Sequence, residues 1–95
     1  MPSILQEKSM HFSIKIVELY KRLSEEHREY IMSKQLLRSG TSIGANIREA
    51  RNGESALDFI HKLAISQKEA DETLYWLEIL SKTGYIDSPT FDLYS

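Results

Sequence analysis

Between Pro2 and Pro89 the chain contains no proline. Proline is the residue that most reliably breaks a helix, by removing an N–H donor and clashing with the preceding turn. Eighty-six consecutive residues are therefore free of it, and the apolar residues among them follow a helical rather than an alternating period. No Asn-Gly or Asp-Gly pair lies between β-branched runs, and Asn52-Gly53 falls between helix-like segments, where it reads as an interhelical turn. The expected fold is all-α: an antiparallel up-down four-helix bundle in one domain over residues 1–95, with the fourth helix only begun.

The first helix is expected over about residues 4–23. At roughly 100° per residue, Phe12, Ile16, Leu19, Tyr20 and Leu23 share one side, widened by Met10, Ile14 and Val17. Lys8, His11, Lys15, Glu18 and Arg22 line the opposite face. Ser24, with acids after it, reads as the cap of the next helix. The third helix is expected over about residues 55–82, with Ser55 as cap. Its main stripe is Ala56, Phe59, Ile60, Leu63, Ala70, Leu74 and Leu77, with Ile65, Trp76 and Leu80 off it. Gly84 reads as a helix stop with Tyr85 and Ile86 packing back. Ser88-Pro89 reads as a cap and first-turn proline opening the fourth helix.

The segment RSGTSIGANIREA, Arg38 to Ala50, decides between a phosphate-cradling loop and a helix. With Ile31 at 0°, Met32, Leu36, Ile43, Ile47 and Ala50 fall between about 100° and 160°, and Gly40 and Gly44 near 180° and 220° on the same side. A loop would not preserve that phase, so one continuous helix is expected from about Arg28 to Arg51. Each glycine costs it roughly 1 kcal/mol relative to alanine. Four residues apart, Gly40 and Gly44 form a small-residue seam that lets another helix approach closely. A phosphate loop needs its second glycine five positions on, followed by Lys and Ser/Thr, and here Ala45-Asn46 follow Gly44.

Other chemistry is poorly represented. The chain has no cysteine, so thiolate metal sites and disulfides are excluded, in keeping with a reducing compartment. Asp58 and His61 stand one turn apart, but a carboxylate di-metal bundle needs two Glu-x-x-His elements. No metal, cofactor or catalytic group is expected, and the protein is read as non-enzymatic. The longest uncharged stretch, Ser39 to Ile47, is far shorter than the roughly 20 residues of a membrane span, and the N-terminus lacks the pattern of a signal peptide. A cytoplasmic location is expected.

Charge supplies the candidate binding residues. Residues 1–51 carry nine Lys/Arg and six Asp/Glu, a balance of +3, and residues 52–95 carry three and eight, a balance of −5, which together give the chain's −2. Lys8, Lys15 and Arg22 recur every seven residues on the first helix, and Lys34, Arg38, Arg48 and Arg51 flank the glycine seam on the second. Clustered cations are what phosphate-backbone binding requires. An ordinary solvated surface has the same look. No aromatic residues interleave with these cations, so a base-stacking platform is not expected. Ile65, Trp76 and Leu80 are candidates for a homo-oligomer interface or for contact with the fourth helix.

Three segments, SKQLLRSGTSIGANIREA (Ser33–Ala50), DFIHKLAISQKEADETLYWLEIL (Asp58–Leu80) and TGYI (Thr83–Ile86), resemble a bacterial family. It is the four-helix-bundle family named after proteins encoded in 23S rRNA intervening sequences, also labelled ribosomal and related to accessory proteins of diversity-generating retroelements. The resemblance implies an antiparallel four-helix bundle, a ring-like homopentamer, and association with RNA or a nucleic-acid enzyme. The other class consistent with the broad apolar sides and acidic second half is a protein-binding scaffold with no nucleic-acid role.

Overall fold

The computed structural model describes residues 3–95, and over these residues the chain is all-helical. Four helices follow in order: α1 (Ile4–Glu25), α2 (Met32–Arg51), α3 (Ala56–Lys82) and α4 (Ser88–Tyr94). They form a rod measuring 43 × 22 × 21 Å. None of the described helices is long and apolar enough to cross a membrane.

α2 is the central element, with α1 and α3 packed against it. It runs unbroken through Gly40 and Gly44, as the phase requires. Both glycines face α1. A Cβ at Gly40 would lie 2.8 Å from both Cγ atoms of Ile16, and one at Gly44 would lie 3.1 Å from Ser13 Oγ. The order of these pairs, with numbers falling along α1 as they rise along α2, makes the two helices antiparallel.

Hydroxyl groups join α2 to α3. Thr73 Oγ1 lies 3.0 Å from Ser39 Oγ, and Ser66 Oγ donates to the Ile43 carbonyl at 2.9 Å. Ser39, Ser66 and Thr73 are buried, and none of their side-chain oxygens is left without a partner. The apolar core lies toward the α4 end and consists of Ile16, Leu19, Leu23, Leu36, Leu77, Leu80 and Ile86.

The helix ends depart from expectation at three places. Ser24 does not open α2; it lies in the last turn of α1 and donates to the Tyr20 carbonyl. The chain then turns at Arg28, whose φ of 52° is left-handed, and the Glu29 N–H returns to the Leu23 carbonyl. α2 therefore starts at Met32 rather than near Arg28. Its cap is the carboxylate of Glu29, which accepts the N–H groups of Ile31, Met32 and Ser33 at 3.1, 3.0 and 2.7 Å. These donors have no partner within the helix, and a negative group is favoured there by the helix dipole. At α4 the cap is Asp87, one residue before the expected Ser88, and it accepts the Thr90 N–H at 2.8 Å. That hydrogen bonding, led by Thr90, holds the Asp87 carboxyl below its ordinary range.

Two other ends follow the sequence reading. Ser55 caps α3 by accepting the Asp58 N–H. Gly84, at φ 86°, stops α3 and returns the N–H groups of Tyr85 and Ile86 to the Leu80 carbonyl.

The expected stripe of α3 is only partly covered. Leu77 is buried, but Phe59, Ile60 and Leu74 are exposed. The line facing α2 is instead Ser66, Thr73, Leu77 and Leu80. The reason is geometric: α1 and α3 nowhere approach within 8 Å, Cα to Cα, so among the described residues no helix covers the side of α3 turned toward α1 other than α4.

Candidate functional site

The seven candidate cations do not form one face. Lys8, Lys15 and Arg22 run along the side of α1 that borders α4 and the space beyond it. Lys8 lines that space. The Lys15 backbone carbonyl accepts the Tyr94 hydroxyl at 2.9 Å. Arg22 lies near enough to act on the charges of Asp87 and Tyr94. The Tyr94 phenol is raised above its ordinary range, chiefly by burial. This row thus borders a helix junction, with Lys8 and Arg22 exposed beside it.

The cations of α2 divide further. Arg38 is clamped between two α3 carboxylates, with Nη1 donating to Glu69 at 3.1 Å and Nη2 donating to Glu72. The Glu72 hydrogen bond is the main cause that raises the Arg38 guanidinium above its usual value. Glu72 also accepts the indole N–H of Trp76 at 3.1 Å. That bond, followed by the one from Arg38, lowers the Glu72 carboxyl below its ordinary range. An Arg already bridging two acids is a poorer phosphate ligand, and Arg38 has a structural part beside the binding role expected of it. Lys34 and Arg48 are exposed on the outward side of α2, and Arg51 is exposed at its end. Arg48 borders a hollow with Gln6, Met10 and Ser13, on the opposite side of α1 from Lys8.

The three candidate interface residues also separate. Leu80 is fully buried in the chain's own core and cannot reach a partner, which corrects its assignment to an oligomer contact. Trp76 is half-buried against that core, with its ring edge-on to Tyr75. Ile65 is half-buried on the same flank of α3. Exposed apolar residues include Ile4, Leu5, Met10 and Ile14 on α1, Tyr30 and Ile31 before α2, Leu57, Phe59, Ile60, Leu74 and Tyr75 on α3, and Leu93 on α4. Met10 and Ile14 were legible in the sequence as an apolar side too wide for one neighbour.

Two open surfaces result. The first lies outside the α1–α2 seam, where Met10 and Ser13 of α1 meet Thr41, Gly44 and Ala45 of α2. The second is a groove between α1 and α3, floored by Ile43 and Ile47 of α2. No cluster of three or more His, Asp or Glu residues suited to a metal ion occurs among the described residues.

The comparisons with known proteins agree with this architecture. A solved structure from Bacteroides thetaiotaomicron VPI-5482, described as a protein of unknown function from the S23 ribosomal protein family, superposes with a TM-score of 0.95. The two sequences are 54% identical, over 96% of this chain and 84% of that one. No curated protein matches the chain. The family described as 23S rRNA-intervening sequence protein matches residues 3–95, that is, every described residue. By this match the chain belongs to the 23S rRNA-intervening sequence protein family.

Proposed function

We propose that the protein is a self-assembling helical module that acts by binding rather than by catalysis, and that copies meet on the outer side of the α1–α2 seam. The observation that carries this reading is apolar exposure beside small residues. Met10 and Ile14 are 44% and 51% exposed on α1. Next to Met10, exposed Ala45 offers little bulk, so a second helix can come close and cover the apolar side chains. Met10 and Ile14 stand one turn apart on α1, and grouped exposed apolar side chains mark association sites in soluble proteins. The homopentamer implied by the family resemblance supports the same reading.

The test is sedimentation velocity over a concentration series. A mass above the monomer is expected, and Ile14→Glu or Ala45→Glu is expected to return the chain to a monomer with its helix content intact. A monomer at all concentrations, or an assembly indifferent to both substitutions, refutes the reading.

A second reading, RNA association, is favoured by Lys34 and Arg48, which point outward from α2, and by the rRNA-linked description of the family. Phosphate binding through them would weaken with salt, and neutralising both would reduce that salt slope. Binding of structured RNA that persists unchanged in the Lys34→Gln, Arg48→Gln double variant, or that is absent at low salt, refutes it.

A further inference from the structure

The turn between α2 and α3 carries a reactive pair that neither self-assembly nor RNA association uses. Asn52 is followed by Gly53. The side-chain carbonyl carbon of an asparagine can close a five-membered ring with the backbone nitrogen of the next residue, which is one reason asparagine is thermolabile. A helical backbone and the Cβ of the following residue both hinder that attack, and glycine has no Cβ. Asn52 closes α2 as its C-cap, at φ −97° and ψ 8°, and Gly53 lies outside the helix. Every residue from 51 to 60 is exposed, so water reaches the pair.

The other asparagine of the chain shows what restrains this chemistry. Asn46 lies inside α2, its Nδ2 donates to the Ser42 carbonyl at 2.8 Å, and the β-branched, buried Ile47 follows it. No such bond among the described residues holds the side-chain amide of Asn52. The Gly53 N–H does donate to the Ala50 carbonyl, at 3.2 Å, and the Asn52 N–H to the Glu49 carbonyl, at 3.1 Å. Both bonds span three residues at the end of a helix, where the last turn frays. Opening the first of them frees the Gly53 nitrogen to turn toward Asn52 Cγ.

We propose that Asn52 is a site of spontaneous covalent modification: it loses its side-chain amide through a cyclic imide with Gly53, and the product loosens the α2–α3 turn. The Gly53 nitrogen gives its proton to solvent and bonds to Asn52 Cγ. The Cγ–Nδ2 bond breaks, and Nδ2 takes a proton from solvent and leaves as ammonia. Water then opens the ring. Opening at Cγ gives aspartate. Opening at the backbone carbonyl of Asn52 gives isoaspartate, whose main chain runs through the former side chain and is one methylene longer. That methylene falls three residues before Ser55, the cap of α3. Either product adds one negative charge to a chain already at −2. The charge stands at the C-terminal end of α2, where the helix dipole disfavours an anion. Glu49, Glu54 and Asp58 border the same hollow and repel it; the cationic groups there are His61 and Lys62, and Lys62 is already 3.7 Å from Glu49.

The test is prolonged incubation of the full chain in mildly alkaline buffer at physiological temperature, followed by peptide mass mapping. Replacement of the amide by a carboxyl is expected in the peptide holding Asn52, at least tenfold faster than in the peptide holding Asn46. Isoaspartate is expected as the larger product, recognised by its resistance to a protease that cleaves before aspartate and by enzymatic methylation of its carboxyl. Gly53→Ala, whose Cβ would stand 3.2 Å from the Ala50 carbonyl, is expected to slow conversion at least fivefold. Should that variant alter helix content, Asn52→Gln keeps the glycine and must close a six-membered ring, so amide loss there is expected to be at least tenfold slower. Converted chain, separated from the parent by anion exchange, is expected to unfold at a lower urea concentration. No mass gain at Asn52, equal conversion of the two asparagines, or a rate unchanged in these variants overturns the site. Aspartate without isoaspartate overturns the ring route, and converted chain that unfolds at the same or a higher urea concentration overturns the loosening.

Discussion

Gly40→Ala is the smallest change that probes the seam. The new Cβ would stand 2.8 Å from Ile16 Cγ1, 2.8 Å from Cγ2 and 3.1 Å from Cδ1. Carbon atoms prefer about 3.5–4.0 Å, so two contacts are too short by about 0.7–1.2 Å. Both offending atoms branch from the same Cβ, so rotating χ1 moves one away and brings the other in. Ile16 is fully buried, which leaves it nowhere to retreat. Overpacking of this kind costs about 1–3 kcal/mol. The helix itself gains about 1 kcal/mol when glycine becomes alanine. A net loss of about 1 kcal/mol is expected.

Gly44→Ala supplies the control, because it has the same propensity gain with a different neighbour. Its nearest atom is Ser13 Oγ at 3.1 Å, a hydroxyl that can rotate, and its next are at 3.4 Å. That variant is expected to be neutral or more stable by up to about 1 kcal/mol. Urea unfolding followed by circular dichroism, at one fixed protein concentration, reads both. Ile16→Ala alone is expected to cost about 2–5 kcal/mol. Combined with Gly40→Ala it is expected to cost less than the two separately, because the methyl fills part of the space vacated. Equal stability of the two glycine variants, or strict additivity with Ile16→Ala, refutes the close-approach account.

Glu29→Ala strips the cap from α2 and leaves three N–H groups to find water, and it is expected to lower stability by about 1–2 kcal/mol in the same assay. Equal stability would show that the cap is dispensable. Glu72→Gln tests the bridge to Arg38 and Trp76 through acid titration. Because the folded-state carboxyl is lowered, its stabilising effect is complete at neutral pH and is lost as pH falls through the folded value. The stability difference between Glu72→Gln and the parent is therefore expected at neutral pH and absent in strong acid. Both partners are solvent-accessible, so the difference is expected to stay within about 1 kcal/mol. A difference that persists unchanged in acid refutes the assignment.

The helix through the glycines was legible because phase survives across small residues: Met32, Leu36, Ile43 and Ile47 keep one register whatever lies between them. The cap of α2 was not. Ser24 has the composition of a cap, yet its hydroxyl serves the preceding turn. Glu29 is outside the usual capping set, and only the left-handed turn at Arg28 brings its carboxylate over the helix start. Periodicity likewise marked Phe59, Ile60 and Leu74 as one apolar stripe without showing that α1 stands too far off to cover it. The cations were visible as rows, but spacing on one helix says nothing about the neighbour. Arg38 took on a structural part because Glu69 and Glu72 are opposite it, some thirty positions away in the chain.

The hydroxyl bridges from Ser39 to Thr73 and from Ser66 to the Ile43 carbonyl have a consequence for alignment. Leucine-on-leucine contacts tolerate axial sliding, since one greasy ridge replaces another. These two pegs do not: displacing α3 by one turn, about 5.4 Å, would pull both apart, and although Thr73 keeps the Glu69 carbonyl of its own helix, Ser66 would lose the Ile43 carbonyl in a dry interface. They favour one longitudinal setting of two otherwise slippery cylinders.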